Sequence, residues 1–359
     1  MHEATTMLQT LVIALAAGTA LLILAGRLRF PAIAPLLVCG VLIGPEGLGW
    51  VQPSSLGIGL EPLISLAVAI ILFEGGLTLD IKGAKAAPAV IRRLVTLGAL
   101  ITWLGAAALC MAFLDVTPQT ALLAGSLIIV TGPTVVTPLL RRIDVSERLH
   151  HVLHWEAVLI DPIGVFIALL CYEAIAVDSS IGGALAGLAV RCFSGAALGG
   201  VGGLAIGYVL KRGWIAREYI NTGVLAAALL IYAMADRVLP HTGILAVTIA
   251  GFVLGWLNPP ELDELKDFKL QITELAVAMI FVILAADLEL SSFLALGKGG
   301  ALVVLLVIVL LRPLVVFVAT WGSQLTVRER MFASGRRCGY CCGLHGPSFI
   351  RLGPIAIRA

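Results

Sequence analysis

The sequence predicts an all-α, polytopic membrane protein with about eleven transmembrane helices. Hydrophobic residues make up 60% of its 359 residues and charged residues only 13%, and the mean hydropathy is +1.05. Soluble domains carry about 25% charged residues, so this composition indicates an integral membrane protein. The net charge of +2 is too small to indicate a nucleic-acid partner.

Apolar stretches of about 20 residues, the length that crosses a bilayer as a helix, define the predicted spans. The first stretch lacks the basic region and the cleavage site of a secretory signal, so we interpret it as a transmembrane helix. The predicted spans cover residues 7–26, 31–50, 57–79, 88–113, 119–140, 152–176, 181–210, 218–235, 239–257, 270–286 and 299–325.

The basic residues predict the orientation of these spans. When successive loops are assigned to alternate sides, almost all Lys and Arg fall on one side, and only Arg237 and Lys298 fall on the other. Cytoplasmic loops carry the excess of Lys and Arg. We therefore expect the N-terminus outside and the region around residue 330 in the cytoplasm.

Proline and glycine interrupt three of the spans, at GVLIGPEGLGW, VTGPTVVTP and LIDPIGVF. Broken helices at membrane depth persist only where protein or water satisfies the freed backbone groups. In transporters such breaks form the binding site. Each break alone can also be a packing kink, but two consecutive broken spans near an acidic residue favour a binding site.

Ionisable residues well inside the spans are few: Glu74, Glu156, Asp161, Arg191 and Arg312. Each is costly in a bilayer and is a candidate for function. Asp161 lies deep in the sixth span and is followed by a proline. Burial favours the neutral form of its carboxyl group, whereas a bound cation favours the carboxylate. A proton and a metal ion would therefore compete for one group, although a buried structural acid is the alternative.

Glu156 lies five residues before Asp161, about 140° around a regular helix, so the two side chains are not expected on one face. Arg312 lies at mid-depth in the last span, and neither charge can easily remain there alone. We predict a structural ion pair between Glu156 and Arg312, and direct ion binding by Glu156 is the alternative. Glu74 is a possible gate or an acid that reaches the membrane surface, and Arg191 has no assigned role.

The histidines of HHVLH, His150, His151 and His154, raise the question of a zinc site, since two of them are four residues apart. The segment lacks the glutamate of a metalloprotease helix and lies at the membrane boundary, so we do not favour metal binding. No motif of a catalytic or cofactor site is present, and we expect no enzyme activity, no cofactor and no resident metal. A second group with metal-ligand spacing comprises Cys338, Cys341, Cys342 and His345.

Four segments together, FEGGLTLD, VTGPTVVTPLLRR, WEAVLIDPIGVF and the RP of LLRPLVVF, resemble bacterial sodium/proton antiporters of the CPA1 family, NhaP-like branch. The resemblance implies inverted repeats and a homodimer, in which a six-helix core with two crossed, unwound helices moves against a dimerisation domain. It also implies that Asp161 is the transport aspartate, that Arg312 bridges to Glu156, and that Thr131 lies beside the ion.

The sequence departs from the family pattern at the site. The usual Asn-Asp pair is Ile160-Asp161, the usual Thr-Asp-Pro is Thr131-Gly132-Pro133, and Ala157 replaces a frequent serine. The site is therefore poorer in oxygen atoms than in the relatives. Asp161 is the one acid of the Ile160-Asp161 pair, so we expect one-for-one, electroneutral exchange.

The C-terminus departs further. We assign residues 1–334 to the transmembrane exchanger domain and 335–359 to an aberrant Arg- and Cys-rich cytoplasmic tail, GRRCGYCCGLHGPSFIRLGPIAIRA. Relatives continue here with a Gly-Ile-Val-Ala-rich unwound helix. A one-base shift of the codons can restore such a sequence, so we hypothesise a frameshift at about residue 335, which would leave the second repeat incomplete. A genuine short tail is the alternative.

The resulting expectation is a secondary transporter of the bacterial inner (plasma) membrane that exchanges Na⁺, or alternatively K⁺, for H⁺ and serves pH homeostasis. Three alternatives stay open. They are a membrane channel or regulatory subunit, an inactive truncated antiporter, and an intramembrane aspartyl protease, which would need a second aspartate facing Asp161.

Overall fold

The computed structural model describes residues 2–28, 32–79, 88–130, 147–176, 181–259, 262–323 and 329–330. Within these ranges the chain is helical and contains no strand. Short 3₁₀ turns at Pro53–Gly59 and Arg217–Tyr219 and a six-residue helix at Leu290–Ala295 accompany the main helices. The main helices are α1 (His2–Leu28), α2 (Ile33–Ile43), α3 (Leu60–Leu77), α4 (Pro88–Phe113), α5 (Pro118–Ile128), α6 (Glu147–Ala176), α7 (Ile181–Lys211), α8 (Ile220–Val238), α9 (Gly243–Leu257), α10 (Leu262–Ala286) and α11 (Gly297–Ala319).

Each of the predicted spans overlaps one of these helices, so the all-α, polytopic architecture is confirmed. Among the described residues, seven helices are long and apolar enough to cross a membrane: α1, α3 with its preceding 3₁₀ turn, α4, α6, α7, α8 and α11. The apolar parts of α2, α9 and α10 are shorter, and α5 covers 11 residues.

Two predicted helices end earlier than their apolar stretches. Helix α2 ends at Ile43 because Gly44 is extended, with φ −72° and ψ −177°, as expected for a residue that precedes a proline. Helix α5 ends at Ile128, before the predicted break at VTGPTVVTP, whose residues from 131 onward lie outside the described ranges. The end of α2 agrees with the predicted interruption, and the break at VTGPTVVTP stays a prediction.

The third predicted break, at LIDPIGVF, is wrong. Helix α6 runs without interruption from Glu147 to Ala176 and contains Pro162. A proline fits helical φ and removes a single backbone donor, so one such residue can lie within a long helix at a cost of about 3 kcal/mol. Neighbouring helices in a membrane protein compensate for such a loss.

The helices form two groups by their contacts. The larger group comprises α1–α3 and α7–α10, and the smaller group comprises α4, α5, α6 and α11. The groups meet mainly through α6, which contacts α3 and α7. Helix α6, which carries Asp161, therefore lies at the boundary between the two groups.

Small residues bring α3 and α9 unusually close within the larger group. A Cβ atom added at Gly76 would overlap the carbonyl oxygen of Thr248, and one added at Gly251 would overlap that of Phe73. Close backbone approach of this kind is typical of helix pairs in membranes. The C-terminal half of α3, which carries Glu74, is thus held firmly against α9.

Helices α4 and α11 each contain a π-helical segment, Leu94–Gly98 in α4 and Val307–Leu311 in α11. The two helices pack against each other, with Val315 of α11 close to Gly98. A π segment rotates the residues that follow it and is frequent at functional sites. In α11 the residue that follows is Arg312.

Candidate functional site

Asp161 occupies the middle of α6, with its side chain half-buried and its Oδ1 atom buried from solvent. The residues on either side of it, Ile160 and Pro162, are buried. Because Pro162 has no N–H group, it cannot donate to the carbonyl of Val158 one turn earlier. A carboxylate oxygen and a backbone carbonyl released from the helical ladder therefore lie within one turn of each other.

Glu156 and Arg312 form a buried contact between α6 and α11. Arg312 Nη2 donates a hydrogen bond to Glu156 Oε1 at 2.9 Å, and the side chains are 5% and 25% exposed for Glu156 and Arg312. A charge-assisted bond of this length neutralises two groups that would each be costly alone. The structure thus joins the two residues that sequence reasoning paired, across 156 positions of chain.

The residue before Asp161 has an apolar environment. Ile160 is 3% exposed and forms a cluster with Ala99 of α4 and with Ile129, the residue after α5, and Ala157 is also buried. Neither side chain supplies an oxygen atom. The departure at Ile160 therefore coincides with apolar packing of α6 against α4 and the end of α5.

The end of α5 packs directly against the turn of α6 that follows Asp161. A Cβ atom added at Gly164 would overlap the side chain of Val130, so this glycine lets the two segments approach. Thr131 is the next residue, and it lies outside the described residues. The preceding residue, Val130, packs against Gly164, which is three residues after Asp161 in α6.

Glu74 is half-buried on α3. Four residues later, the hydroxyl of Thr78 donates to the carbonyl of Gly75 at 2.9 Å and lies 3.2 Å from His154 Nε2 of α6. This hydrogen bond connects the larger and smaller groups. The sequence carries no signal for this contact, because no local pattern links residues 76 positions apart.

The other predicted candidates have simpler placements. Among the described residues no group of three or more His, Cys, Asp or Glu has the geometry to hold a metal ion, and Cys338, Cys341, Cys342 and His345 lie outside them. Arg191 lies in α7, whose candidate membrane span covers Ala186–Lys211. It is therefore nearer to the start of that span than to its middle.

Comparison with known proteins identifies the class. Residues 11–338 match the family "Sodium/hydrogen exchanger, transmembrane". The chain therefore belongs to the sodium/hydrogen exchanger family. The match extends four residues beyond the predicted domain boundary at 334.

Particular relatives carry more specific names. The Na(+)/H(+) antiporter 1 of Methanocaldococcus jannaschii is 27% identical over 336 residues, which cover 89% of this chain and 77% of that protein. The K(+)/H(+) antiporter NhaP2 of Shewanella sp. (strain ANA-3) is 26% identical over 86% of this chain. This chain spans about half of the NhaP2 length, 54%.

The fold agrees with a solved structure of the same kind. The sodium proton antiporter MjNhaP1 from Methanocaldococcus jannaschii at pH 8 superimposes with a TM-score of 0.79 at 26% identity. The match covers 93% of this chain and 85% of MjNhaP1. These relatives favour an exchanger over a channel, a regulatory subunit or an intramembrane protease.

Proposed function

We propose that this protein is a secondary active transporter that exchanges a monovalent cation for H⁺, with Asp161 carrying each in turn. The observation that carries this proposal is a half-buried aspartate in the middle of a membrane-spanning helix. A proton occupies the neutral carboxyl group, whereas a cation binds its carboxylate form. Binding of one ion therefore requires release of the other, and no covalent chemistry is involved.

Na⁺ is the first expected cation and K⁺ the alternative, since relatives are named for each. The apolar side chains at Ile160 and Ala157 leave Asp161 as the single acid at its position, which supports exchange of one cation for one proton. Oxygen ligands beyond Asp161 would come from water and main-chain carbonyls, including that of Val158.

In this proposal Thr131 lies beside the ion bound at Asp161, and Glu74 is a gate. Thr131 follows Val130, which packs on the turn of α6 next to Asp161. Glu74 lies about 6 Å along α3 from Thr78, and Asp161 lies about 10 Å along α6 from His154. Helices α3 and α6 are the third and sixth spans, so they run in opposite directions if successive spans alternate. Glu74 precedes Thr78 and Asp161 follows His154, so both acids then lie on the same side of the Thr78–His154 contact. Their depths in the membrane differ by about 5 Å. This supports Glu74 as a gate.

Glu156 and Arg312 act in this proposal as a brace. Their hydrogen bond ties α6 to α11, so the smaller group can move as one body with Asp161. Direct ion binding by Glu156 is disfavoured, because a cation would have to compete with a guanidinium already 2.9 Å from Oε1.

We further propose that the smaller group moves against the larger group, and that the larger group forms the contact in a homodimer. The orientation follows the basic loops, with the N-terminus outside a bacterial inner membrane and residue 330 in the cytoplasm. Residues 1–334 form the exchanger domain and residues 335–359 a separate tail. Sequencing the gene across codon 335 tests the frameshift hypothesis, which an intact reading frame would remove.

Reconstitution in vesicles with an internal pH-sensitive dye tests the proposed transport. An inward Na⁺ or K⁺ gradient should alkalinise the lumen, and choline should not. Asp161→Asn should abolish the signal, whereas Asp287→Asn, which alters an exposed aspartate at the end of α10, should retain it. An unchanged signal in Asp161→Asn removes Asp161 from the mechanism.

The membrane potential separates an exchanger from a channel. In an experiment with Na⁺ as the test cation, valinomycin and K⁺ set the membrane potential. Electroneutral exchange should proceed at the same rate with and without this potential. A channel would instead pass current, and its Na⁺ flux would follow the imposed potential without moving protons.

A further inference from the structure

The connection between α7 and α8 is an ordered turn with a built C-terminal cap. Backbone N–H groups of Arg212, Gly213 and Trp214 donate to carbonyls in the last turn of α7, at 3.1, 3.0 and 3.4 Å. Gly213 has φ +64°, which suits the left-handed residue that ends a helix. The backbone at Trp214 is thereby folded back toward α7.

A second anchor fixes the far side of this turn. Ile215 packs against the buried cluster shared by α3, α7, α8 and α9, and it lies beside Gly223 of α8, where an added Cβ atom would meet it in van der Waals contact. The 3₁₀ turn Arg217–Tyr219 then leads directly into α8. The connection is therefore held at both ends, and its exposed side chains have defined positions.

Those exposed side chains combine aromatic rings with positive charge. The rings of Tyr208 and Trp214 meet edge to face with centroids 5.9 Å apart, and the Arg212 guanidinium lies 5.2 Å above the Tyr208 ring. Tyr208 is 50% and Trp214 69% exposed. The stacked guanidinium is oriented, and its remaining N–H groups can donate to a phosphate.

The charge balance of the connection is positive. Lys211, Arg212 and Arg217 are exposed basic residues, against one exposed acid, Glu218, so three positive charges minus one negative charge leave +2. The connection follows the end of a membrane-spanning helix. Trp and Tyr favour this depth of a bilayer, where the lipid headgroups lie.

We propose that this surface, the α7–α8 patch (Tyr208, Lys211, Arg212, Trp214 and Arg217), binds the headgroup of an anionic phospholipid. The basic side chains contact the lipid phosphate, and the Tyr208–Trp214 pair packs on the glycerol and upper acyl chain. Basic residues that only set orientation need no ring contacts and no fixed backbone, whereas this patch has both. The proposal is independent of the transport mechanism.

Lipid selectivity measured by tryptophan quenching tests the α7–α8 patch. The full chain is reconstituted in phosphatidylcholine containing phosphatidylglycerol, with either lipid brominated in the upper acyl chain. The protein has six tryptophans, so the Trp214 signal is the difference between the wild type and Trp214→Phe. A basic residue near an anionic surface contributes about a fivefold preference, so we expect phosphatidylglycerol to bind at least several-fold more strongly than phosphatidylcholine.

Two variants and one condition make the outcome decisive. The triple variant Lys211→Gln, Arg212→Gln, Arg217→Gln should bring the ratio of the two association constants close to one. Arg237→Gln, which removes an exposed arginine at the end of α8, should leave it unchanged. High salt should lower the ratio in the wild type, because exposed charges are screened, and this measurement stands even if the triple variant fails to fold.

Equal quenching of the wild type by the two lipids overturns the proposal, as does an unchanged ratio in a folded triple variant. Loss of the preference on adding inorganic phosphate at constant ionic strength would identify a site for the free anion instead of a lipid.

Discussion

Removal of Arg312 should destabilise the protein more than removal of its partner. Arg312→Gln leaves the carboxylate of Glu156, which is 5% exposed, without the guanidinium that neutralises it. Breaking a buried ion pair in this way costs about 3–5 kcal/mol. We expect the lower half of that range, because the arginine is 25% exposed and water can reach part of the site. Glu156→Gln leaves the more exposed partner and should cost less.

The assay is reversible unfolding in mixed micelles, followed by far-ultraviolet circular dichroism, with Arg237→Gln as the control for an exposed arginine. The double variant Glu156→Gln, Arg312→Gln should be more stable than the sum of the single changes predicts, by about 1–3 kcal/mol. Additive single and double changes, or a cost below about 1 kcal/mol for Arg312→Gln, would refute the brace between α6 and α11.

Three further changes test the surroundings of Asp161. Gly164→Ala should cost about 1–3 kcal/mol through overlap with Val130 and should lower transport, and equal stability and transport would show that the contact is not tight. Pro162→Ala should raise the apparent melting temperature, because the helix regains a hydrogen bond. It should also raise the half-saturating cation concentration, because the carbonyl of Val158 is then no longer free to bind the ion. An unchanged half-saturating concentration would exclude this carbonyl as a ligand. Thr78→Val removes the bond to His154 and should lower stability by no more than about 1 kcal/mol, but it should change the turnover rate several-fold. An identical rate would exclude a coupling role.

The sequence predicted the helices well because hydropathy and proline positions act locally. The end of α2 at Ile43 follows from Gly44 and the next proline. The same reasoning failed at Pro162, since a long helix supported by its neighbours tolerates one missing donor. Local signals do not report how much support a helix receives.

At the site, sequence reasoning succeeded where a charge demanded a partner. Glu156 and Arg312 were paired because neither is stable alone in a bilayer, and the structure brings them to 2.9 Å. The π segment before Arg312 and the contact of Thr78 with His154 gave no such signal. Both depend on how helices distant in sequence pack together.

Proton release on cation binding tests the central claim most directly. The purified chain is titrated with Na⁺ or K⁺ in weakly buffered detergent solution, at a pH where Asp161 is protonated, and a pH dye records the protons released. Cations and protons that compete for one carboxyl group should exchange at about one proton per bound cation, and Asp161→Asn should release none. Cation binding without proton release in the wild type, or the same release in Asp161→Asn, would contradict the account.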